Sequence, residues 1–174
     1  MRIVQALAST RRRQDQGPFA FGLNRIYLSC DHCNPKWMSH IVQTLVKLRP
    51  AFLHGYPSIW ESVGLAFRSA NLKLPVRGVF LCSEEVFPEQ LELLRTVFGP
   101  VFVSYGQTER AILAYGYVQG NAVEYKIVPM YSYAESIARV DGFSELAGTN
   151  LFVRTMPCLL YTSDAADELD GVDL

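Results

Sequence analysis

A chain of 174 residues is the size of one domain and is long enough to bury a substantial core. Its 49% hydrophobic and 12% aromatic content describes a globular protein, and a net charge of −1 argues against the basic surface that nucleic acid requires. The single basic cluster, Arg11-Arg12-Arg13, lies in the polar run STRRRQDQG and reads as a solvated loop. No apolar run approaches the roughly 20 residues of a membrane helix, and the first residues lack a signal-peptide pattern. Neither nucleic acid nor membrane is therefore an expected partner, and the cytoplasm is the expected compartment. The oligomeric state is not legible.

In chain order, NRIYLSC (24–30) reads as the first strand, apolar and rich in β-formers. Asn34-Pro35 then supplies an N-cap and a first-turn proline for a helix reaching Leu48. Trp37, Ile41, Leu45 and Leu48 recur at spacings of three and four on one face, and Arg49-Pro50 stops the helix. AFLHGY (51–56) is a second strand and PSIWESVGLAFRSA (57–70) a second amphipathic helix, with Pro57 at its start. VRGVFLCSE (76–84) is a third strand. PEQLELLRTVF (88–98) is a third helix with acidic residues in its first turn, followed by Gly99. VFVSY (101–105) is a fourth strand. Beyond Tyr117, AVEYKIVPMYSY, ESIARV and GTNLFVRT read as further strands joined by polar turns.

Strands alternating with helices through short links imply a parallel sheet, because parallel neighbours need a crossover. The fold class is therefore α/β. A doubly wound, mostly parallel sheet with helices on both faces is expected, followed by a smaller mixed or antiparallel β extension. In such sheets ligands bind outside the carboxyl ends of the strands. Three strand ends carry small or polar residues: HGYPS (54–58), CSEE (82–85) and YGQTE (105–109). They are expected to line one rim.

Of the four cysteines (Cys30, Cys33, Cys82 and Cys158), two form the C-x-x-C of SCDHCNP, with His32 between them. This pattern admits a loop with incidental thiols, a metal knuckle or a redox pair. No second C-x-x-C supplies the remaining ligands of a structural zinc site, and a redox motif needs a strand-to-helix setting. A non-enzymatic binding domain built on a metal knuckle is thus the alternative to an enzyme.

The strand ends in this order resemble the adenylate-forming superfamily of acyl- and aryl-CoA synthetases. The closest resemblance is to its phenylacetate–CoA ligase branch, including capsular-polysaccharide-associated relatives. RPAFLHGYPSIWE (49–61), VRGVFLCSEEVFPEQLELLRTVFG (76–99), VSYGQTER (103–110) and GTNLFVRTMP (148–157) carry it, within a match from about Arg25 to Pro157. The resemblance implies an ATP-dependent ligase that converts a carboxylic acid to an acyl-adenylate and then to a thioester of CoA. The label of the phenylacetate–CoA ligase branch implies an aryl-acetate-like acid as one candidate substrate.

The resemblance also implies roles for single residues. Glu109 would bind Mg²⁺, a hard cation usually held by one or two carboxylates plus phosphate oxygens. Thr108 would donate to the α-phosphate, making Thr108 and Glu109 the catalytic pair. Tyr105 would offer its ring to adenine, with Gly106 leaving room and Gln107 beside it. The backbone from Cys82 through Ser83 to Glu84 would border the adenine of ATP or AMP. Tyr56 and Pro57 would lie near the acyl group. Taken without the resemblance, Thr108-Glu109 reads as a helix N-terminal region, Tyr105 as a packed aromatic, and Ser83-Glu84-Glu85 as a cap for the helix at Pro88.

The sequence departs from the family at several places. Val103 stands where relatives carry Asp or Asn, so no side-chain oxygen is available there for the adenine amino group. No Ser/Thr/Gly-rich phosphate loop precedes Arg25, and no lid domain with its lysine follows. Residues 1–157 are therefore expected to be part of an N-terminal adenylate-forming domain, inactive alone. CLLYTSDAADELDGVDL (158–174) replaces the family's ribose-binding strand and resembles a translated library adapter, so it is expected to be extraneous.

Overall fold

The computed structural model describes residues 2–7, 17–22, 24–107, 110–119, 122–140, 144–152 and 159–162. The chain divides into two compact units, Met1–Phe102 and Val103–Leu174.

The first unit contains strands β1 (Ile3–Leu7), β2 (Phe19–Phe21), β3 (Arg25–Ser29), β4 (Phe52–Gly55) and β5 (Gly78–Cys82), in the spatial order β2-β3-β1-β4-β5. β1 pairs in parallel with both β3 and β4, β4 in parallel with β5, and β2 antiparallel with β3. The parallel core expected from the alternation is present. β1 and β2 were not expected. β1 inserts between β3 and β4, so two strands consecutive in the expected order are not neighbours.

Helix α1 (Pro35–Leu48) begins at Asn34, whose side chain accepts from the Lys36 amide at 3.1 Å. It ends at Arg49, which turns left-handed (φ 44°) while its amide donates to the Leu45 carbonyl. Both ends lie where the sequence placed them. α2 (Pro57–Ser69) follows β4 and α3 (Pro88–Val97) follows β5. The α1 and α2 crossovers advance in one direction along the sheet, so right-handed connections put both helices on the same face. α3 packs against α2 on that face.

The core of this unit lies between sheet and helices. Ile41, Leu45, Leu53, Trp60, Val63, Phe67, Val79, Leu81, Leu94 and Phe98 are all buried there. Phe98 meets Trp60 and Phe67 edge-on, with centroids 6.2 and 5.5 Å apart. Burying each such side chain contributes about 1.5–3 kcal/mol. The other sheet face is open among the described residues. It carries an aromatic tier in which Phe80 lies 5.7 Å from Phe52 and stacks on Phe102 at 5.1 Å.

The second unit takes up strand β6 (Val101–Gly106) from Val103, then β7 (Leu113–Gln119) and β8 (Ala122–Ile127), paired antiparallel in sequence. β9 (Ser132–Ala138) and β10 (Ser144–Asn150) form a second antiparallel pair. β11 (Leu159–Thr162), from the segment expected to be extraneous, aligns antiparallel with β10. This is the expected β extension. Its core is Ala111, Ile112 and Leu146, flanked by Tyr105, Tyr125, Ile127 and Ala134. Gly148 is required by close approach, since a Cβ there would sit 2.7 Å from the Ala111 carbonyl oxygen. Arg139 and the buried Glu145 close β9 to β10 at 3.2 Å.

Candidate functional site

Two of the three strand ends lie in the first unit, and the structure joins them. β4 leaves the sheet through Gly55, whose φ of +140° favours glycine. A Cβ at Gly55 would approach the Ala6 Cβ at 2.8 Å and the Ala6 carbonyl at 2.9 Å, so the strand end is pressed onto β1. Tyr56 then serves as N-cap of α2, with Pro57 as its first residue. A tyrosine cannot cap through its side chain, and none is seen. Glu84 does so instead, from the end of β5. Its carboxylate accepts from the Ser58 amide and from the Ser58 hydroxyl, each at 3.0 Å.

A carboxylate on the first-turn amides is favoured by both the hydrogen bonds and the helix dipole. Glu84 thus ties the end of β5 to the start of α2 across 26 residues. Ser83 makes this possible by turning left-handed, at φ +68°. α3 is satisfied separately: the Gln90 side chain accepts from the Phe87 amide at 3.0 Å and donates to Glu61 at 2.8 Å. Glu84 therefore caps a helix, but it is α2 and not the one at Pro88.

Behind this rim, Cys82 Sγ lies 3.8 Å from His54 Nε2, on adjacent parallel strands. Burial, then the Arg25 guanidinium, lowers the His54 pKa below its ordinary value. His54 lines a groove of about 310 Å³ with Ile3, Gln5, Arg25, Phe52 and Phe80, on the open sheet face.

The third strand end belongs to the second unit. The Tyr105 ring packs on the Ala111–Ile112–Leu146 cluster and meets Tyr125 edge-on at 6.4 Å. Its hydroxyl accepts from the Gln107 amide nitrogen at 2.6 Å. Gly106 ends β6, opposite Leu113. Val103, the departure noted above, is buried. Thr108 and Glu109 lie outside the described residues. The structure thus joins Tyr56, Pro57, Cys82, Ser83 and Glu84 in one unit, and Tyr105, Gly106 and Gln107 in the other.

The C-x-x-C occupies a 3-10 turn, Cys30–His32, between β3 and α1. Cys33 Sγ donates back to the Ser29 carbonyl at 3.8 Å, and His32 is buried edge-on against Trp37 at 5.7 Å. Among the described residues no group of three or more His, Cys, Asp or Glu side chains is placed to hold a metal ion. Sequence reasoning placed His54, Gly55 and Ser58 in a strand end lining the rim but gave none of them an individual role. The signal for Gly55 was present in HGYPS, but the partner of Ser58 is fixed only by tertiary structure.

No family model and no curated protein matches the chain. Solved structures do match. A 2-hydroxyisobutyryl-CoA ligase in the postadenylation state with R3-HIB-AMP aligns with 92% of this chain and 38% of its own, at a TM-score of 0.59 and 15% identity. A nonribosomal peptide synthetase in its AMPPNP-bound form aligns with 75% of this chain and 16% of its own, at 0.53 and 14%. VinN aligns with 84% of this chain and 40% of its own, at 0.50 and 17%. The chain therefore has the fold of part of these proteins and spans between 16% and 40% of their length.

Proposed function

We propose that the chain is part of an ATP-dependent carboxylic acid–CoA ligase that works through an acyl-adenylate. One observation carries this reading. A fold shared with a ligase crystallised with its acyl-AMP presents, at one rim, the two strand ends HGYPS and CSEE locked together by Glu84 and Ser58. Carboxylate attack on a nucleotide α-phosphate builds charge there, so donors fixed around that phosphorus lower the barrier.

In this reading the backbone of Cys82, Ser83 and Glu84 borders adenine, and Tyr56 and Pro57 border the acyl group. Tyr105, Gly106 and Gln107 contribute the nucleotide-facing lip, with Thr108 donating to the α-phosphate. Glu109 is the metal donor, and a single carboxylate suits Mg²⁺, which completes its shell with phosphate oxygens and water. Bound there, the ion would neutralise phosphate charge. The acid is a small carboxylic acid of the aryl-acetate class, CoA is the acceptor, and the compartment is the cytoplasm. The phenylacetate–CoA ligase branch, with its capsular-polysaccharide relatives, is the branch we favour, on HGYPS, CSEE and YGQTER.

The test is ATP–pyrophosphate exchange over a panel of carboxylic acids, using a protein that carries this chain within the full ligase length. Exchange is expected with at least one aryl acid and is expected to fall by two orders of magnitude or more in Glu109→Gln. Exchange within a few-fold of the parent in that variant would sink the metal assignment. The 174-residue chain alone is expected to release no pyrophosphate, and release with any acid would overturn that expectation.

A further inference from the structure

We propose that Cys30 and Cys33 are a reversible dithiol pair, closing to an intramolecular disulfide by exchange with a low-molecular-weight disulfide of the glutathione class. The geometry begins with the turn that ends β3. The Cys33 amide donates to the Cys30 carbonyl at 2.9 Å, closing a 3-10 turn. Turns closed in this way bring their first and fourth Cα atoms within about 7 Å. Disulfides span Cα separations of about 4.4–6.8 Å. Side chains three residues apart on a 3-10 turn eclipse, which starts the two side chains on the same side of the turn.

The turn is held from both directions. The Asn34 side-chain amide donates to the Asp31 carbonyl at 3.0 Å while its oxygen caps α1. Ser29, just upstream, donates its amide to Pro18 at 2.9 Å. Both thiols are free and only partly buried, and no described cluster engages them as metal ligands. A strand, a two-cysteine turn and a capped helix follow one another.

The exchange balances as two substitutions at sulfur. The Cys30 thiolate attacks the low-molecular-weight disulfide, whose S–S bond breaks and releases one thiolate, which takes a proton from solvent. Cys33, after losing its proton, attacks the Cys30 sulfur of the mixed disulfide and expels the second thiolate, which is protonated in turn. Two protein thiols are oxidised and one external disulfide is reduced to two thiols. Burial first, then the negative charges of Asp31 and Glu84, push the Cys30 thiol up to about 11. Burial, then Cys30 and Asp31, push Cys33 up to about 12. Little thiolate exists at neutral pH, so exchange is slow and rises close to tenfold per pH unit between about 7 and 9.

The experiment incubates the chain with oxidised and reduced glutathione at mildly alkaline pH, quenches with acid, alkylates, and maps the peptides by mass. The expected result is loss of two of the four thiols, both in the peptide holding Cys30 and Cys33, restored by dithiothreitol. In Cys33→Ser a glutathionyl adduct is expected to persist on Cys30. Tryptophan emission is expected to shift on oxidation, because Trp37 lies against His32 inside the turn, and not to shift in Cys30→Ser. Two alkylated thiols in that peptide after oxidation, or a Cys30 linked to Cys82 or Cys158, would overturn the proposal. So would a stable glutathionyl adduct on the unaltered chain.

Discussion

Gly55→Ala tests whether the rim is built as described. The substitution forces an L residue to φ +140°, which costs about 1–3 kcal/mol of backbone strain. It also drives a methyl group to 2.8 Å from the Ala6 Cβ and 2.9 Å from the Ala6 carbonyl. Overpacking of this kind costs about 1–3 kcal/mol more. Against this stands a gain of about 0.4–1 kcal/mol from a stiffer unfolded chain. The net loss is about 1–6 kcal/mol, equivalent to a melting-temperature drop on the order of 10 °C for a chain of this length. Gly64→Ala is the matched control. Its Cβ would meet Leu93 at 3.4 Å and Leu94 at 3.5 Å, ordinary contact, inside α2 where alanine is favoured by about 1 kcal/mol. The two alanines are therefore expected to move stability in opposite directions. Urea unfolding followed by tryptophan emission reads the first unit alone, because Trp37 and Trp60 both lie in it. If Gly55→Ala unfolded within about 0.5 kcal/mol of the parent chain, the close approach of β4 to β1 would be wrong.

Glu84→Ala is expected to cost about 1 kcal/mol by uncapping α2, and a double-mutant cycle with Ser58→Ala should return a coupling of about 0.5–1 kcal/mol; additivity would dissolve the link between β5 and α2. Phe98→Ala removes the ring that both Trp60 and Phe67 meet and is expected to cost about 3–5 kcal/mol by denaturation. The lowered pKa of His54 means that just below about 6.5 the unfolded chain binds a proton the folded chain does not. Stability should therefore fall with pH through that window, and His54→Gln should flatten the slope in acid titrations. The raised thiols act on the alkaline side. Above 9.0 the unfolded thiols ionise first, so stability should fall as pH climbs towards about 11, less so in Cys30→Ser.

The parallel core was legible because its signals are local. Asn34-Pro35 and Arg49-Pro50 bracket α1, Pro57 opens α2, and Pro88 opens α3, each by fixing backbone angles or supplying a cap within a few residues. β1 and β2 escaped because IVQAL and FAF are short, and what makes them strands is pairing with β3 and β4. β1 in particular has no local turn chemistry to mark it, yet it sits at the centre of the first unit's sheet. The order of strands in space was lost for the same reason, since adjacency follows from which edges are free when the chain arrives.

The rim shows where local reasoning ends. CSEE was legible as a polar exit from a strand, and HGYPS as a glycine followed by a helix start. What joins them is a carboxylate meeting an amide and a hydroxyl 26 residues away. Tyr56 is a poor N-cap by sequence, and that weakness was itself the clue, since an α-helix whose first residues offer no acceptor must find one elsewhere. Glu84 is the acceptor found. The consequence reaches the chemistry proposed for the site. If Cys82 to Glu84 border a nucleotide and Tyr56 and Pro57 border an acid, the hydrogen bonds that hold Glu84 to Ser58 also set the spacing between those two substrates. A change at Glu84 would then disturb both binding sites together, whereas a residue serving one substrate would disturb only one.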